Sequence, residues 1–116
     1  MLLLIGFPES EVKKIKEEMG EEIYAVDEEL RDVKLKEIIK MIKKRKEKDY
    51  GRLGEQRIAL MHNIPKEDIP KIMKKIKGVV PFHIIFATTT PTSLEWSLDE
   101  LIHELIEEDL YFSKRG

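Results

Sequence analysis

Residues Leu3–Met19, LLIGFPESEVKKIKEEM, lie over residues Leu60–Ile76, LMHNIPKEDIPKIMKKI, at a shift of 57. Pro8 falls on Pro65, and Val12, Ile15 and Met19 fall on Ile69, Ile72 and Ile76. Further along, VKLKEIIKMI (Val33–Ile42) lies over WSLDELIHEL (Trp96–Leu105) at a shift of 63. There Leu35, Glu37, Ile38 and Ile39 meet Leu98, Glu100, Leu101 and Ile102. Self-similarity at so long a period points to one supersecondary unit written twice. The chain of 116 residues is therefore expected to be one domain, with pseudo-repeat halves about 1–48 and 57–110 joined by a charged linker, 49–56.

Each half reads strand, helix, strand, helix. Leu2–Gly6 and Arg57–His62 are short apolar runs that end at a turn and a proline, as a strand feeding a helix start does. The first helix is expected from about Pro8 to Met19, stopped by Gly20, with Val12, Ile15 and Met19 inward. Its counterpart is expected from about Lys66 to Lys77, stopped by Gly78, burying Ile69, Ile72, Met73 and Ile76. Pro70 falls in its first turn, where a missing N–H costs little. The second strands are Ile23–Val26 and Phe82–Ala87, and the second helices about Val33–Lys48 and Ser97–Asp109. This alternation predicts an α/β fold: a tandem βαβα duplication forming a small four-stranded, mainly parallel sheet. Because LLLI, IALM and HIIFA are apolar nearly throughout, helices are expected on both faces of that sheet.

Composition narrows the setting. No stretch approaches the roughly 20 apolar residues that span a bilayer, so no membrane partner is expected. The start, MLLLIGFPE, lacks the basic flank of a signal peptide and reads as a strand. With no cysteine, disulfides, thiolate metal sites and cysteine nucleophiles are excluded, and the cytoplasm is the natural location. Charged residues make up 38% of the chain and Gln56 and Asn63 are its only side-chain amides, which suggests a thermophilic host. The net charge of −2 conceals an uneven distribution. Acids outnumber bases ten to four over Glu9–Asp32, bases outnumber acids ten to four over Lys34–Arg57, and Val79–Ser113 holds seven acids and no Lys or Arg.

The segment TTTPTSLEWSLDELIHELIEED (Thr88–Asp109) is first of all a helix start. Ser97 and Glu100 have the spacing of a capping box, in which the hydroxyl takes the Glu100 N–H and the carboxylate reaches back to the Ser97 N–H. Trp96 and Leu101 stand at the positions of a hydrophobic staple. Leu98, Leu101, Ile102, Leu105 and Ile106 form one apolar stripe. Within it, TPTSLEWSLDELIHEL (Thr90–Leu105) resembles the C-terminal signature of an uncharacterised prokaryotic family, a domain of unknown function. Its members read Thr-Pro-Thr-Asn, two variable residues, Trp-Thr and a Leu-rich helix, with a strand and a Gly-Phe turn upstream. Thr90, Pro91, Thr92 and Trp96 match, Ser97 replaces the threonine, and Ser93 stands where the family has Asn. The resemblance implies the fold and no particular activity.

Candidate sites are few. Thr88, Thr89, Thr90, Thr92, Ser93 and Trp96 lie between the last strand and a helix N-terminus, where open α/β sheets bind small anions or nucleotides. No Gly-rich phosphate loop accompanies them. His62, His83 and His103 lack metal-ligand spacing, although Asp27 or Glu104 could complete a set in space. No nucleophile elbow frames a serine, so no catalytic residue, metal or cofactor is assigned and the chain leans away from enzymes. Lys43, Lys44, Arg45, Lys46 and Lys48 with Tyr50 are candidates to grip phosphates and stack a base of a nucleic acid, against an overall pI of about 6.0. The leading expectation is a non-catalytic regulatory or interaction module acting through protein–protein contact, as a homodimer or with another protein. Trp96, Tyr111 and Phe112 are its candidate apolar contacts, and the basic and acidic helices its complementary surfaces.

Overall fold

The computed structural model describes residues 1–20, 22–46 and 56–115. β1 (Leu2–Ile5), α1 (Glu9–Met19), β2 (Ile23–Val26) and α2 (Leu35–Met41) form the first half. β3 (Arg57–Met61), α3 (Ile69–Val79), β4 (Ile84–Thr88) and α4 (Leu98–Arg115) repeat that order in the second. The sheet order is β2-β1-β3-β4, parallel within each half and antiparallel where β1 meets β3.

The two-residue period of a strand sorts every inward side chain to one of two cores. Leu3, Ile5, Ile58, Leu60 and Ile85 face α2 and α4, together with Leu35, Ile38, Leu98 and Leu101. Leu2, Leu4, Ala59, Met61 and Ile84 face α1 and α3, with Val12, Ile15 and Ile76. All four residues of β1 are buried, which is why its sequence is apolar without alternation. Each large side chain so buried stabilises the fold by about 2 kcal/mol relative to exposure. The helices therefore cover both faces, and the α/β architecture is the three-layer one.

The register repeats the sequence shift. Leu3 pairs with Leu60 across the antiparallel centre, and these are the residues that coincide when one half is laid on the other. At the second shift, Lys34 and Ser97 form an isolated antiparallel bridge, with Leu35 N–H on the Trp96 carbonyl at 2.9 Å and Leu98 N–H on the Val33 carbonyl at 3.0 Å. Both pairings are antiparallel, and each joins residues related by its own sequence shift. Gly6 (φ 77°) and Asn63 (φ 54°) make the same left-handed turn at matching positions. Asn is among the side chains that tolerate that region. This is the geometry that two copies of one strand–helix unit would produce.

Several boundaries differ from expectation for identifiable reasons. α1 stops at Gly20, whose left-handed conformation (φ 61°) lets its N–H reach the Lys16 carbonyl at 2.8 Å. Gly78 does not stop α3: the helix runs on to Val79, and Val80 continues into the core. A 3-10 turn over Lys66–Asp68 precedes α3, and of its expected inward residues only Ile76 is fully buried. β4 starts at Ile84, two residues late, leaving Phe82 exposed beneath the Arg57 guanidinium, 4.5 Å from the ring centroid. α2 is much shorter than Val33–Lys48. It ends at Met41 and passes into a 3-10 turn, Ile42–Lys44, after which Arg45 is extended. The end of that expected helix and most of the linker 49–56 lie outside the described residues. α4, by contrast, runs six residues past the expected Asp109 to Arg115. Among the described residues no helix is long and apolar enough to cross a membrane.

Candidate functional site

The two edges of the sheet are treated differently. Along β2, the 3-10 turn after α2 folds back across the edge. Arg45 Nε and Nη2 donate to Asp27 Oδ2 and Oδ1, both at 3.0 Å, and Nη2 also reaches Glu29 Oε2 at 2.8 Å. Asp27 is buried, and its Oδ1 accepts the Glu29 N–H at 3.0 Å, capping the 3-10 turn Glu28–Leu30. These acids hold Arg45 protonated far beyond its ordinary range. Lys43 meets Glu22 at 3.1 Å, lowering that carboxyl below its usual value. Lysines and arginines along an edge of this kind block pairing with a further strand.

Among the described residues none covers the β4 edge in this way. Thr89 N–H donates to the Met61 carbonyl at 3.0 Å. By alternation, Ile85 and Ala87 also turn their backbone groups toward β3, and Ile84, Phe86 and Thr88 turn theirs outward. A groove of about 420 Å³ runs the length of this edge, with β4 as one wall and α4 as the other. On the α4 side it is lined by Leu101, Leu105 and Phe112 between Glu104, Glu108 and Asp109. Thr90, Ser93 and Trp96 close one end. At the other, His83 Nε2 reaches Asp109 Oδ2 at 2.9 Å. Phe82, Leu110, Tyr111 and Phe112 are exposed, and Tyr111 and Phe112 pack edge to face at 5.7 Å. No Lys or Arg occurs between Val79 and Ser113, although Lys77 lies over the Phe86 ring on the opposite face of the sheet.

The hydroxyl loop is largely engaged with itself. Thr90 N–H donates to Ser93 Oγ at 2.9 Å, Ser93 N–H to Thr90 Oγ1 at 3.0 Å, and the Ser93 hydroxyl to the Thr90 carbonyl at 3.2 Å. Ser93 is buried. Thr89 Oγ1 lies 2.8 Å from His62 Nδ1. Thr88 and Thr92 are exposed. The first turn of α4 already carries Asp99 and Glu100, which complement the helix dipole. Ser97 Oγ accepts the Glu100 N–H at 3.2 Å as expected; the Glu100 carboxylate takes the Ser97 hydroxyl at 3.2 Å instead of reaching the backbone. Trp96 is half-buried against the core facing α2 and α4 and also lines the groove, so it serves the helix start and the opening together.

The basic segment is dispersed. Lys34 and Lys36 meet Glu95 at 3.8 and 2.9 Å, Lys40 meets Glu37 at 3.7 Å, and Lys43 and Arg45 are engaged as above. Lys44 and Lys46 are exposed; Lys48 and Tyr50 lie outside the described residues. The three histidines are separated, His62 beside Thr89, His83 on Asp109 and His103 within 2.8 Å of the Asp99 carbonyl. Among the described residues no three metal-ligating side chains converge. Arg31 links the halves, its Nη1 2.6 Å from Asp99 Oδ1 and its Nε 2.8 Å from Glu28 Oε1.

The β4 groove was not among the sites expected from sequence, because it depends on strand order and on α4 continuing straight. Its advance signals were the long stretch without cations and five lining residues named above on other grounds, Thr88, Thr90, Ser93, Trp96 and Phe112. Residues 57–112, from the start of β3 into α4, match the model of a family described as a domain of unknown function (DUF3783). Neither the curated proteins nor the solved structures compared gave a match. The matched span includes the residues of this chain that form both walls of the groove.

Proposed function

We propose that this chain is a non-catalytic, cytosolic interaction module whose contact surface is the β4–α4 side of the second half. The observation that supports this reading is the asymmetry of the edges. Two halves with the same order of elements differ where α2 ends early and Arg45 covers β2, whereas α4 runs on and leaves β4 lined by a groove. An uncovered edge beside exposed aromatics is an association surface in most folds, since isolated proteins otherwise protect such strands. Tyr111 and Phe112 supply the aromatic contact area. The basic helix contributes less than its sequence suggests, because its cations at Lys34, Lys36, Lys43 and Arg45 are paired within the chain.

Placing a photo-crosslinking residue at Phe112, and separately at Lys14 on the outer face of α1, tests this reading in cells producing the full chain. A discrete protein adduct from position 112 and none from position 14 is the expected result. Equal labelling at both, or none at either, would remove the assignment.

A further inference from the structure

We propose that the β4–α4 groove receives an extended peptide of another protein as a fifth strand, and that this peptide alternates apolar with basic residues. The inference rests on the interaction reading above and names the partner's chemistry.

Three features converge on a strand as occupant. Ile84, Phe86 and Thr88 present backbone N–H and C=O groups at an edge that no described residue pairs with, and backbone groups at an edge are satisfied in full by another strand. The groove follows all five residues of β4, a length of about 17 Å at the usual rise, enough for a peptide of similar length. The facing wall is a helix that offers Leu101, Leu105 and Phe112 as apolar contacts. A fifth strand turns alternate side chains toward α4, where Leu101, Leu105 and Phe112 lie between Glu104, Glu108 and Asp109, and the others toward the opposite face of the sheet.

Charge selects the occupant. Glu104 and Glu108 line the groove, are exposed, and have no ion-pair partner among the described residues, while Asp109 meets only His83. A second copy pairing β4 against β4 would bring the same carboxylates together with no Lys or Arg from Val79–Ser113 to offset them. Lysine or arginine at the positions that turn toward α4 meets these carboxylates and leaves the alternate positions free for apolar contact on the opposite face. Pairs of this exposed kind are screened by salt, so binding weakens as ionic strength rises.

The test uses the full chain and two synthetic peptides, one alternating valine with lysine and one alternating valine with glutamate. Amide hydrogen exchange is read residue by residue. The lysine peptide is expected to slow exchange at Phe86 and Thr88, whose N–H groups point outward, with little change at Ile85 and Ala87, already bonded to β3. The glutamate peptide is expected to do neither. Glu104→Lys with Glu108→Lys, two exposed helix positions, should reverse the preference between peptides by about tenfold or more at low salt. Thr88→Pro, which deletes one outward donor and no ladder bond, should weaken the lysine peptide without shifting the melting temperature. Protection by both peptides alike, or by neither, would overturn the proposal. So would concentration-dependent protection of the same amides without peptide, which would assign the edge to a second copy. Crosslinking at Phe112 with no protection at Phe86 and Thr88 would sink the fifth strand and leave the interaction surface standing.

Discussion

Arg45 grips Asp27 through two hydrogen bonds of 3.0 Å, with the carboxylate 1% exposed and the guanidinium 25% exposed. A buried carboxylate that loses its cation is left with desolvation uncompensated. Arg45→Ala is therefore expected to destabilise the fold by about 3 kcal/mol, measured by denaturant unfolding. Lys44→Ala, one residue away and exposed, should change stability by less than about 0.5 kcal/mol. Equal effects would show that Asp27 does not depend on this contact.

Gly78 and Gly20 should respond oppositely to alanine. Gly78 lies inside α3 with open space where a Cβ would go, so Gly78→Ala is expected to stabilise by about 0.5–1 kcal/mol. Gly20 ends α1 at φ 61°, so Gly20→Ala is expected to destabilise by about 1 kcal/mol despite equally open surroundings. Thermal unfolding of the two variants decides both.

His62 gives a pH dependence with a defined sign. Burial, and after it the nearby N-terminal ammonium, push its pKa below the ordinary 6.5. The unfolded chain then takes up a proton before the folded one does. Stability from this group is complete above pH 6.5 and is lost as pH falls through the interval down to the folded pKa. Comparing unfolding of the parent with His62→Gln across pH 5 to 8 should show a shallower decline in the variant on the acid side. Parallel curves would mean that His62 titrates alike in both states.

Ser93 holds the turn before α4. Ser93→Ala removes an acceptor, itself buried, from the Thr90 N–H of a part-buried turn, and a loss of about 1 kcal/mol is expected. Thr92→Ala, exposed on the same loop, should be nearly neutral. Ser93→Asn offers a comparison: a side-chain amide oxygen that accepts from the same N–H should recover part of the loss.

Much of the architecture could be read from local pattern. The unbroken apolar run Leu2–Ile5 pointed to two covered faces, and Leu3 and Leu60, which coincide at the shift of 57, turn out to lie opposite one another in the sheet. What escaped was decided by contacts distant in sequence. Nothing near Lys43–Lys46 tells the helix to end at Met41, since the reason is a buried carboxylate 18 residues upstream. Likewise, Gly78 looked like a stop until the burial of Val80 carried the chain beyond it. The groove required knowing that β4 is an outer strand, and periodicity is silent on strand order.

The pairing of Leu3 with Leu60, and of Lys34 with Ser97, also bears on where the polypeptide can be divided. A fragment beginning at Arg57 would keep β3 and β4 but bare the flank of Ile58 and Leu60 that β1 normally occupies. β1 runs antiparallel to β3, so the β3 of a second copy of the fragment is expected to take its place, antiparallel in the same way.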